Sequence, residues 1–295
     1  MEELQLLSLN SLQMIWDMQL LEKFDNNLRR VTVNGCHNLK SLMPSSLCGS
    51  LVHLEWLEIG GCKNIREVVS KEESEGQEKL GKILFPQLKS LKLYDLPKLK
   101  RFYAGDCIEC PSLKELDIKN CGKMETFITN SLPSHIDNEN EEIESVNKQP
   151  LFVKDKVKFP NLEVLKIHKI EVISEIWHDE AHAYSLHLRM DLISLPKLMH
   201  LCDESVQTCK TFRVVEVLEV WRYCDALEIL MASAAAAQSL QQLTEMILRN
   251  CKRMRQIMGS NHEAEFDVET EKNEIGFSNL KILRLHELCS PISKS

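Results

Sequence analysis

A twelve-residue frame of apolar positions recurs along the chain and limits what the chain can fold into. The frame reads L-x-x-L-x-L-x-x-C/L-x-x-L, and a clear copy contains Leu54, Leu57, Ile59, Cys62 and Ile65. Ten copies occur, with first positions at Leu4, Leu28, Leu54, Leu88, Leu113, Leu162, His187, Val215, Leu243 and Leu280. The paired apolar positions alternate with other residues, as in a short half-buried strand. The frame therefore predicts one strand per copy.

The spacing of the frames indicates the architecture. Six of the nine intervals between successive copies are 24 to 28 residues, which is the length of a leucine-rich repeat. One such repeat cannot bury its own apolar residues, so neighbouring repeats stack around a continuous core. We predict an α/β leucine-rich-repeat solenoid, a horseshoe with a parallel β-sheet on the concave face and short helices, 3-10 turns and loops on the convex face. The chain, 1–295, is predicted to be a single domain of about ten repeats.

Three longer intervals predict insertion loops near 70–84, 131–158 and 259–276. Two of them are acidic, because 135–149 carries five acids against one lysine and 261–275 carries six acids against one lysine. The net charge of −8 is concentrated there, so the repeat scaffold itself is nearly neutral. Such stretches are typical of solvated surface loops.

The eleven cysteines are better explained by packing than by disulfides. Five of them occupy the turn position after the strand, where a small thiol packs in the interior; they are Cys36, Cys62, Cys121, Cys224 and Cys251. The sequence has no Asn-x-Ser/Thr acceptor, no secretory signal and no run of 18 apolar residues. These features favour a cytoplasmic protein without a membrane span.

The chain lacks common sequence signatures of catalysis. It has no phosphate-binding loop, no G-x-S-x-G elbow and no dinucleotide fingerprint. Cys107 and Cys110 form a lone C-x-x-C without the second pair of a zinc ribbon. A second group with metal-ligand chemistry comprises His178, His182, His187, His200 and Cys202. A polar segment between repeats explains this group better than an enzyme site, so we predict no catalytic residue, metal or cofactor.

The residues between the frame positions are predicted to form a binding surface on the concave face. The position between the paired strand residues holds Ser8, Thr32, Glu58, Lys92, Asp117, Lys166, Asp191, Glu219, Ile247 and Arg284. Acids and bases are mixed in this row, whereas a nucleic-acid groove would show a basic stripe. The sequence therefore predicts a surface for proteins and not for nucleic acid.

Several large side chains stand out on this predicted surface. Exposed aromatic and arginine side chains dominate protein interfaces, so the partner-binding candidates are Trp56, Tyr94, His168, Trp221, Arg249 and His286. All except Trp56 follow the strand pair directly. The alternative is that Trp56 and Trp221 are partly covered residues at the flanks of the sheet.

The repeats alternate between two types. "LEWLEIGGCKNIREVV" and "LKELDIKNCGKMETF" represent one type, and "FPQLKSLKLYDLPKLKRF" the other. In these residues the chain resembles, over essentially its whole length, the C-terminal region of plant intracellular immune receptors of the coiled-coil, nucleotide-binding, leucine-rich-repeat type. The resemblance implies a non-catalytic module that senses a pathogen effector or an altered host protein. It also implies contact with the nucleotide-binding domain of the full-length receptor.

The sequence departs from such a receptor in having no nucleotide-binding domain and no signalling coil, so ATP binding is not implied for this chain. It begins inside a repeat and ends without a polar capping repeat, which predicts a fragment. An alternative function is that of an F-box type adaptor that selects substrates for a ubiquitin ligase. The Thr-Asp-x-Gly that usually follows the cysteine in such adaptors is absent here.

Overall fold

The computed structural model describes residues 1–16, 27–71, 82–129, 150–153, 156–178, 187–199, 201, 214–231, 240–258 and 277–288. Within these residues the only helix is the single turn α1 (Ser45–Cys48). The strands are β1 (Glu3–Leu7), β2 (Arg30–Asn34), β3 (Met43–Pro44), β4 (Trp56–Gly60), β5 (Glu67–Ser70), β6 (Lys82–Ile83), β7 (Ser90–Tyr94), β8 (Arg101–Tyr103), β9 (Ile108–Glu109), β10 (Glu115–Lys119), β11 (Phe152–Val153), β12 (Val157–Lys158), β13 (Val164–His168), β14 (Trp177–His178), β15 (Leu188–Ile193), β16 (Val215–Trp221), β17 (Ile229–Met231), β18 (Glu245–Arg249), β19 (Gln256–Met258) and β20 (Ile282–His286).

Ten of these strands form one parallel sheet, in the order β1-β2-β4-β7-β10-β13-β15-β16-β18-β20. Each strand lies at one of the ten sequence frames, and from β2 onward the paired apolar positions within the strands are in register with those of the neighbouring strands. Leu57, for example, is in register with Val31 on one side and Leu91 on the other. The predicted leucine-rich-repeat solenoid with one strand per repeat is confirmed.

The first frame differs from its predicted position by three residues. Leu4 pairs with Val31 and Leu6 pairs with Val33, so these two leucines are the inward residues of β1. Leu7 and Leu9, the pair that the sequence favoured, are 55% and 45% exposed. Either Leu4 and Leu6 or Leu7 and Leu9 could supply the paired apolar positions of the frame. The pairing of β1 with β2 shows that Leu4 and Leu6 do so. Ser8 and Asn10 consequently follow the strand and do not lie in it.

The apolar frame positions pack into one continuous core that runs from Trp16 to Met254. Its centre contains a row of aromatic rings from successive repeats. Phe102 stacks on Phe127 at 4.8 Å between ring centroids, Phe127 lies 5.5 Å from Phe152, and Phe152 lies 5.4 Å from Trp177. Phe159 packs edge-on against both Phe127 and Phe152. These rings link the repeats to one another through the core.

Every strand of the large sheet is followed by a residue with positive φ. These residues are Ser8, Gly35, Gly61, Asp95, Asn120, Lys169, Ser194, Arg222, Asn250 and Glu287, with φ between 50° and 70°. Most of them are not glycine and bear the left-handed backbone at a steric cost. In compensation their N–H groups continue the ladder: Asn120 donates to the carbonyl of His168 at 2.8 Å, and Lys169 donates to that of Ile193 at 2.8 Å. In each repeat but the last, the tight turn thus directs the backbone away from the sheet, while the N–H of the turn residue keeps its hydrogen bond to the neighbouring repeat.

Shorter parallel ladders form beyond these turns, namely β3-β5-β8, β6-β9-β12, β11-β14 and β17-β19. The predicted insertions lie largely outside the described residues. Within the ranges predicted as insertions, β6, β11 and β12 are described and belong to these ladders. No described helix has the length and apolar character needed to cross a bilayer.

Candidate protein-binding surface

Three side chains per strand project from the solvent-facing side of the large sheet, which is the concave face of the solenoid. In β4 these positions are occupied by Trp56, Glu58 and Gly60. The residues paired with them in the other strands form a first row, a middle row and a last row across the sheet. The first row holds Glu3, Arg30, Trp56, Ser90, Glu115, Val164, Arg189, Val217, Glu245 and Ile282; the middle row holds Gln5, Thr32, Glu58, Lys92, Asp117, Lys166, Asp191, Glu219, Ile247 and Arg284; the last row holds Leu7, Asn34, Gly60, Tyr94, Lys119, His168, Ile193, Trp221, Arg249 and His286.

Trp56 lies between two cations. The Arg30 guanidinium is 4.7 Å from the centroid of the indole ring, and the Lys92 ammonium is 4.6 Å from it. The indole Nε1–H donates to Glu58 at 3.3 Å. Cations attracted to the ring face hold the indole in place on the sheet. Trp56 is half-buried as a result.

Tyr94 extends across two neighbouring strands. Its ring lies over Gly60, where a Cβ atom would come within 2.1 Å of the ring carbons. The Tyr94 hydroxyl accepts a hydrogen bond from the Asn34 amide at 3.0 Å. Burial, followed by the nearby Glu58, raises the pKa of Tyr94. Glycine at position 60 is therefore what allows the aromatic ring to lie flat in the last row.

The charged side chains of the first and middle rows largely neutralise one another. Glu115 lies 3.0 Å from Lys166 and 3.6 Å from Lys92, and Arg189 pairs with Asp191 at 3.1 Å. Burial alone would raise the pKa of Glu115, but its hydrogen bond from Lys166 and the two cations lower it. These pairs are partly exposed, so each contributes little stability. Their effect is to leave no broad charged patch in these two rows.

The centre of the surface contains two half-buried titratable groups. Burial raises the pKa of Asp117, and one of its carboxylate oxygens has no hydrogen-bond partner. Burial also lowers the pKa of His168, against the opposing influence of Asp117 and Asp191. The Nε2 atom of His168 likewise has no partner. Both unsatisfied atoms are covered by neighbouring groups, and a buried polar atom without a hydrogen bond costs stability.

Trp221, Arg249 and His286 lie side by side in the last row on β16, β18 and β20. The Arg249 guanidinium is 4.5 Å from the centroid of the Trp221 ring. Trp221 Nε1 and Arg249 Nε are covered and have no hydrogen-bond partner, while His286 is exposed. Tryptophan and arginine are among the residue types that dominate the binding energy of protein interfaces, and a cation over the ring face stabilises this pair.

The structure thus brings together Trp221, Arg249 and His286, places Tyr94 and His168 farther along the same row, and puts Trp56 in the first row. The sequence did not single out Arg30 and Asn34, which hold Trp56 and Tyr94. The sequence places Arg30 and Asn34 in the second repeat, but Arg30 contacts Trp56, 26 positions away, and Asn34 contacts Tyr94, 60 positions away. Lateral pairing of the strands was needed to reveal them.

The turn cysteines pack as predicted. Cys62 is fully buried and its thiol donates to the Gly60 carbonyl at 3.2 Å; Cys121 makes the same contact with the Lys119 carbonyl at 3.5 Å. Burial raises the pKa of Cys62 to about 11 and that of Cys121 to about 12. A raised pKa removes the thiolate, which is the nucleophilic form. These thiols are therefore structural.

We expect Cys62 and Cys121 to react with iodoacetamide at mildly alkaline pH at least about 100-fold more slowly in the folded chain than in urea. Mass spectrometry of alkylated peptides over time measures both rates. Cys107, which is only half-buried, is the internal control and should react faster than either. Equal rates at all three positions in the folded chain would show that the turn thiols are not packed as described.

Metal-binding chemistry finds no support among the described residues. No group of three His, Cys, Asp or Glu side chains in that part of the chain could hold a metal ion. Cys110 is buried, and burial raises its pKa to about 12, which disfavours the thiolate that a metal requires. Of the histidine group considered from the sequence, His182 and His200 lie outside the described residues, as does Cys202.

A ten-stranded parallel sheet with one strand per repeat, and with aromatic and charged side chains along its solvent-facing side, defines the chain as a leucine-rich-repeat scaffold. The family model for the leucine-rich repeats of RPS2-like plant disease resistance proteins matches residues 1–141 and 147–252. The chain belongs to this family.

Two curated relatives come from Arabidopsis thaliana. The chain is 32% identical over 99 residues to disease resistance protein RPS5, an alignment that covers 34% of this chain and 11% of that protein. It is 30% identical over 99 residues to the probable disease resistance protein At1g12290, covering 33% of this chain and 10% of the relative. The matched segment thus spans about a tenth of each relative.

Among solved structures, a leucine-rich cell surface protein from Faecalibacterium prausnitzii aligns with 87% of this chain and 74% of its own. The identity is 14% and the TM-score is 0.19.

Proposed function

We propose that the chain is the protein-recognition module of a plant innate immune receptor. As one domain over 1–295, it would act in the cytoplasm without catalysis or a cofactor. Its concave face would bind a pathogen effector or a host protein that an effector alters, and the module would contact the receptor's nucleotide-binding domain. Membership of the disease resistance family favours this function over that of a ubiquitin-ligase adaptor.

One observation carries the proposal: the last row presents Trp221 under Arg249, with His286 beside them and Tyr94 farther along. Aromatic and arginine side chains held rigidly on a sheet lose little conformational entropy when a partner binds. The paired charges of the first and middle rows lie along one side of these residues. This combination suits protein partners better than small substrates, because it is an extended surface and not an enclosed pocket.

The test is a binding screen with the purified chain against secreted pathogen proteins, the host proteins they modify and nucleotide-binding domains of resistance proteins. We expect at least one saturable complex, and we expect the triple variant Tyr94→Ala, Trp221→Ala, Arg249→Ala to lose it. The matched control carries Lys197→Ala, Met199→Ala and Tyr223→Ala, three exposed positions beyond the strands. Unchanged binding of every identified partner by the concave variant would show that the concave face is not the recognition surface.

A further inference from the structure

An excess of positive charge is exposed at the carboxyl ends of β2, β4, β7 and β10 and in the turns that follow them. We call residues 36–40, 62–66, 95–100 and 119–125 the basic edge. It holds seven cations against two acids, Asp95 and Glu125. The cations are Lys40, Lys63, Arg66, Lys98, Lys100, Lys119 and Lys123, and all seven are exposed. The whole chain carries a net charge of −8, so this excess is local.

The backbone holds three of these cations in one line, which continues to Glu125, whose N–H donates to the Lys100 carbonyl at 3.0 Å. The Arg66 N–H donates to the Lys40 carbonyl at 3.0 Å, and the Lys100 N–H donates to the Arg66 carbonyl at 2.8 Å. Neighbouring repeats joined in this way lie about 4.8 Å apart. Like charges placed next to each other across such a ladder repel. Lys40, Arg66 and Lys100 therefore form a row of exposed cations that a bound anionic group could pair with.

At the amino ends of the same strands, which we call the opposite edge, cations are neutralised by ion pairs within the chain. There Lys89 pairs with Glu55 at 2.8 Å, Arg29 pairs with the same carboxylate, and Lys114 pairs with Glu163 at 2.7 Å. On the basic edge none of the seven cations forms an ion pair with any described residue. Lys98 bonds instead to a neutral group, the side-chain oxygen of Asn64, at 2.7 Å.

We infer that the basic edge binds an acidic segment of a partner protein, as a surface that meets the concave face only at Lys119. Carboxylates of that segment pair with Lys40, Arg66 and Lys100, and the side-chain amides of Asn38 and Asn64 bond its peptide groups. A single-stranded nucleic acid would need aromatic side chains on which bases stack, and a membrane would need exposed apolar ones. The basic edge, which is described throughout, presents no Phe, Tyr or Trp and no exposed large hydrophobic residue.

The test uses a fluorescent peptide of alternating glutamate and serine, with the full chain, at low and raised salt. We expect the variant Lys40→Gln, Arg66→Gln, Lys100→Gln to weaken binding at least about tenfold. The control Arg29→Gln, Lys89→Gln, Lys114→Gln removes the same charge from the opposite edge and should bind like the unaltered chain. Raised salt should weaken the complex. Thermal melting checks that both variants fold, and the basic-edge variant should melt no lower than the control.

Equal binding by the two variants would overturn the inference. Tighter binding of an oligothymidine strand or of phosphatidylserine vesicles than of the acidic peptide would also overturn it, since it would assign the edge to a different class of ligand. The Trp221→Ala variant should keep its affinity for the peptide. Failure of the basic edge and failure of the proposed concave recognition are therefore distinguishable.

Discussion

Replacing Phe127 with alanine is expected to lower the free energy of unfolding by about 3–5 kcal/mol. The ring is fully buried and touches Phe102 at 4.8 Å, Phe159 at 5.3 Å and Phe152 at 5.5 Å between centroids. Alanine would leave a cavity that three rings line, and a close-packed solenoid cannot collapse to fill it. Because stability in repeats depends on contacts between neighbours, the loss should uncouple the repeats on either side.

Urea unfolding followed by tryptophan fluorescence measures this effect, since Trp177 packs against Phe152 in the same aromatic row. Phe127→Leu retains most of the volume and should cost less than about 1.5 kcal/mol. Tyr223→Ala removes an aromatic ring that is 61% exposed and should change stability by less than about 0.5 kcal/mol. If Phe127→Ala behaved like Tyr223→Ala, the aromatic row would not couple the repeats.

Replacing Trp221 with alanine is expected to weaken binding of a concave-face partner by about 2 kcal/mol or more, which is roughly thirtyfold in Kd. The substitution removes the ring over which Arg249 lies and so releases the guanidinium from its place at 4.5 Å. Both effects remove rigid contact area from the last row. Isothermal titration of the partner identified in the screen measures the change.

The control for this prediction is again Tyr223→Ala, an exposed aromatic two residues farther along the same repeat. It lies beyond the strand, so its loss should leave Kd within about twofold. An equal loss of affinity in both variants would indicate that the partner approaches the turns and not the sheet. Unchanged affinity in both would exclude Trp221 from the interface.

The sequence predicted the sheet and the packing role of the cysteines because both depend on a repeated local pattern. Leu57, Ile59 and Cys62 recur at fixed separations, and any parallel stacking of those separations buries them together. The same pattern failed at the first repeat, where Leu4, Leu6, Leu7 and Leu9 satisfy two registers. Only lateral hydrogen bonding to β2 distinguishes between the registers.

The contacts on the concave face could not be predicted in the same way. The position of Trp56 between Arg30 and Lys92 depends on which side chain of a neighbouring repeat leans over the ring, and the frame does not specify that. The left-handed turns were missed because only Gly35 and Gly61 among them have the residue type that marks positive φ. The basic edge was hidden by a composition in which acidic stretches elsewhere mask the local excess of lysine.

Hydroxyl-radical footprinting of the chain with and without its partner tests the central claim, that the concave face is the recognition surface. The account predicts that oxidation of Tyr94 and Trp221 falls when the partner binds, because their half-buried rings become covered. Trp177, which is 2% exposed, should remain unreactive in both samples and so confirm that the chain stays folded. Unchanged oxidation of both Tyr94 and Trp221 in a saturated complex would contradict the account.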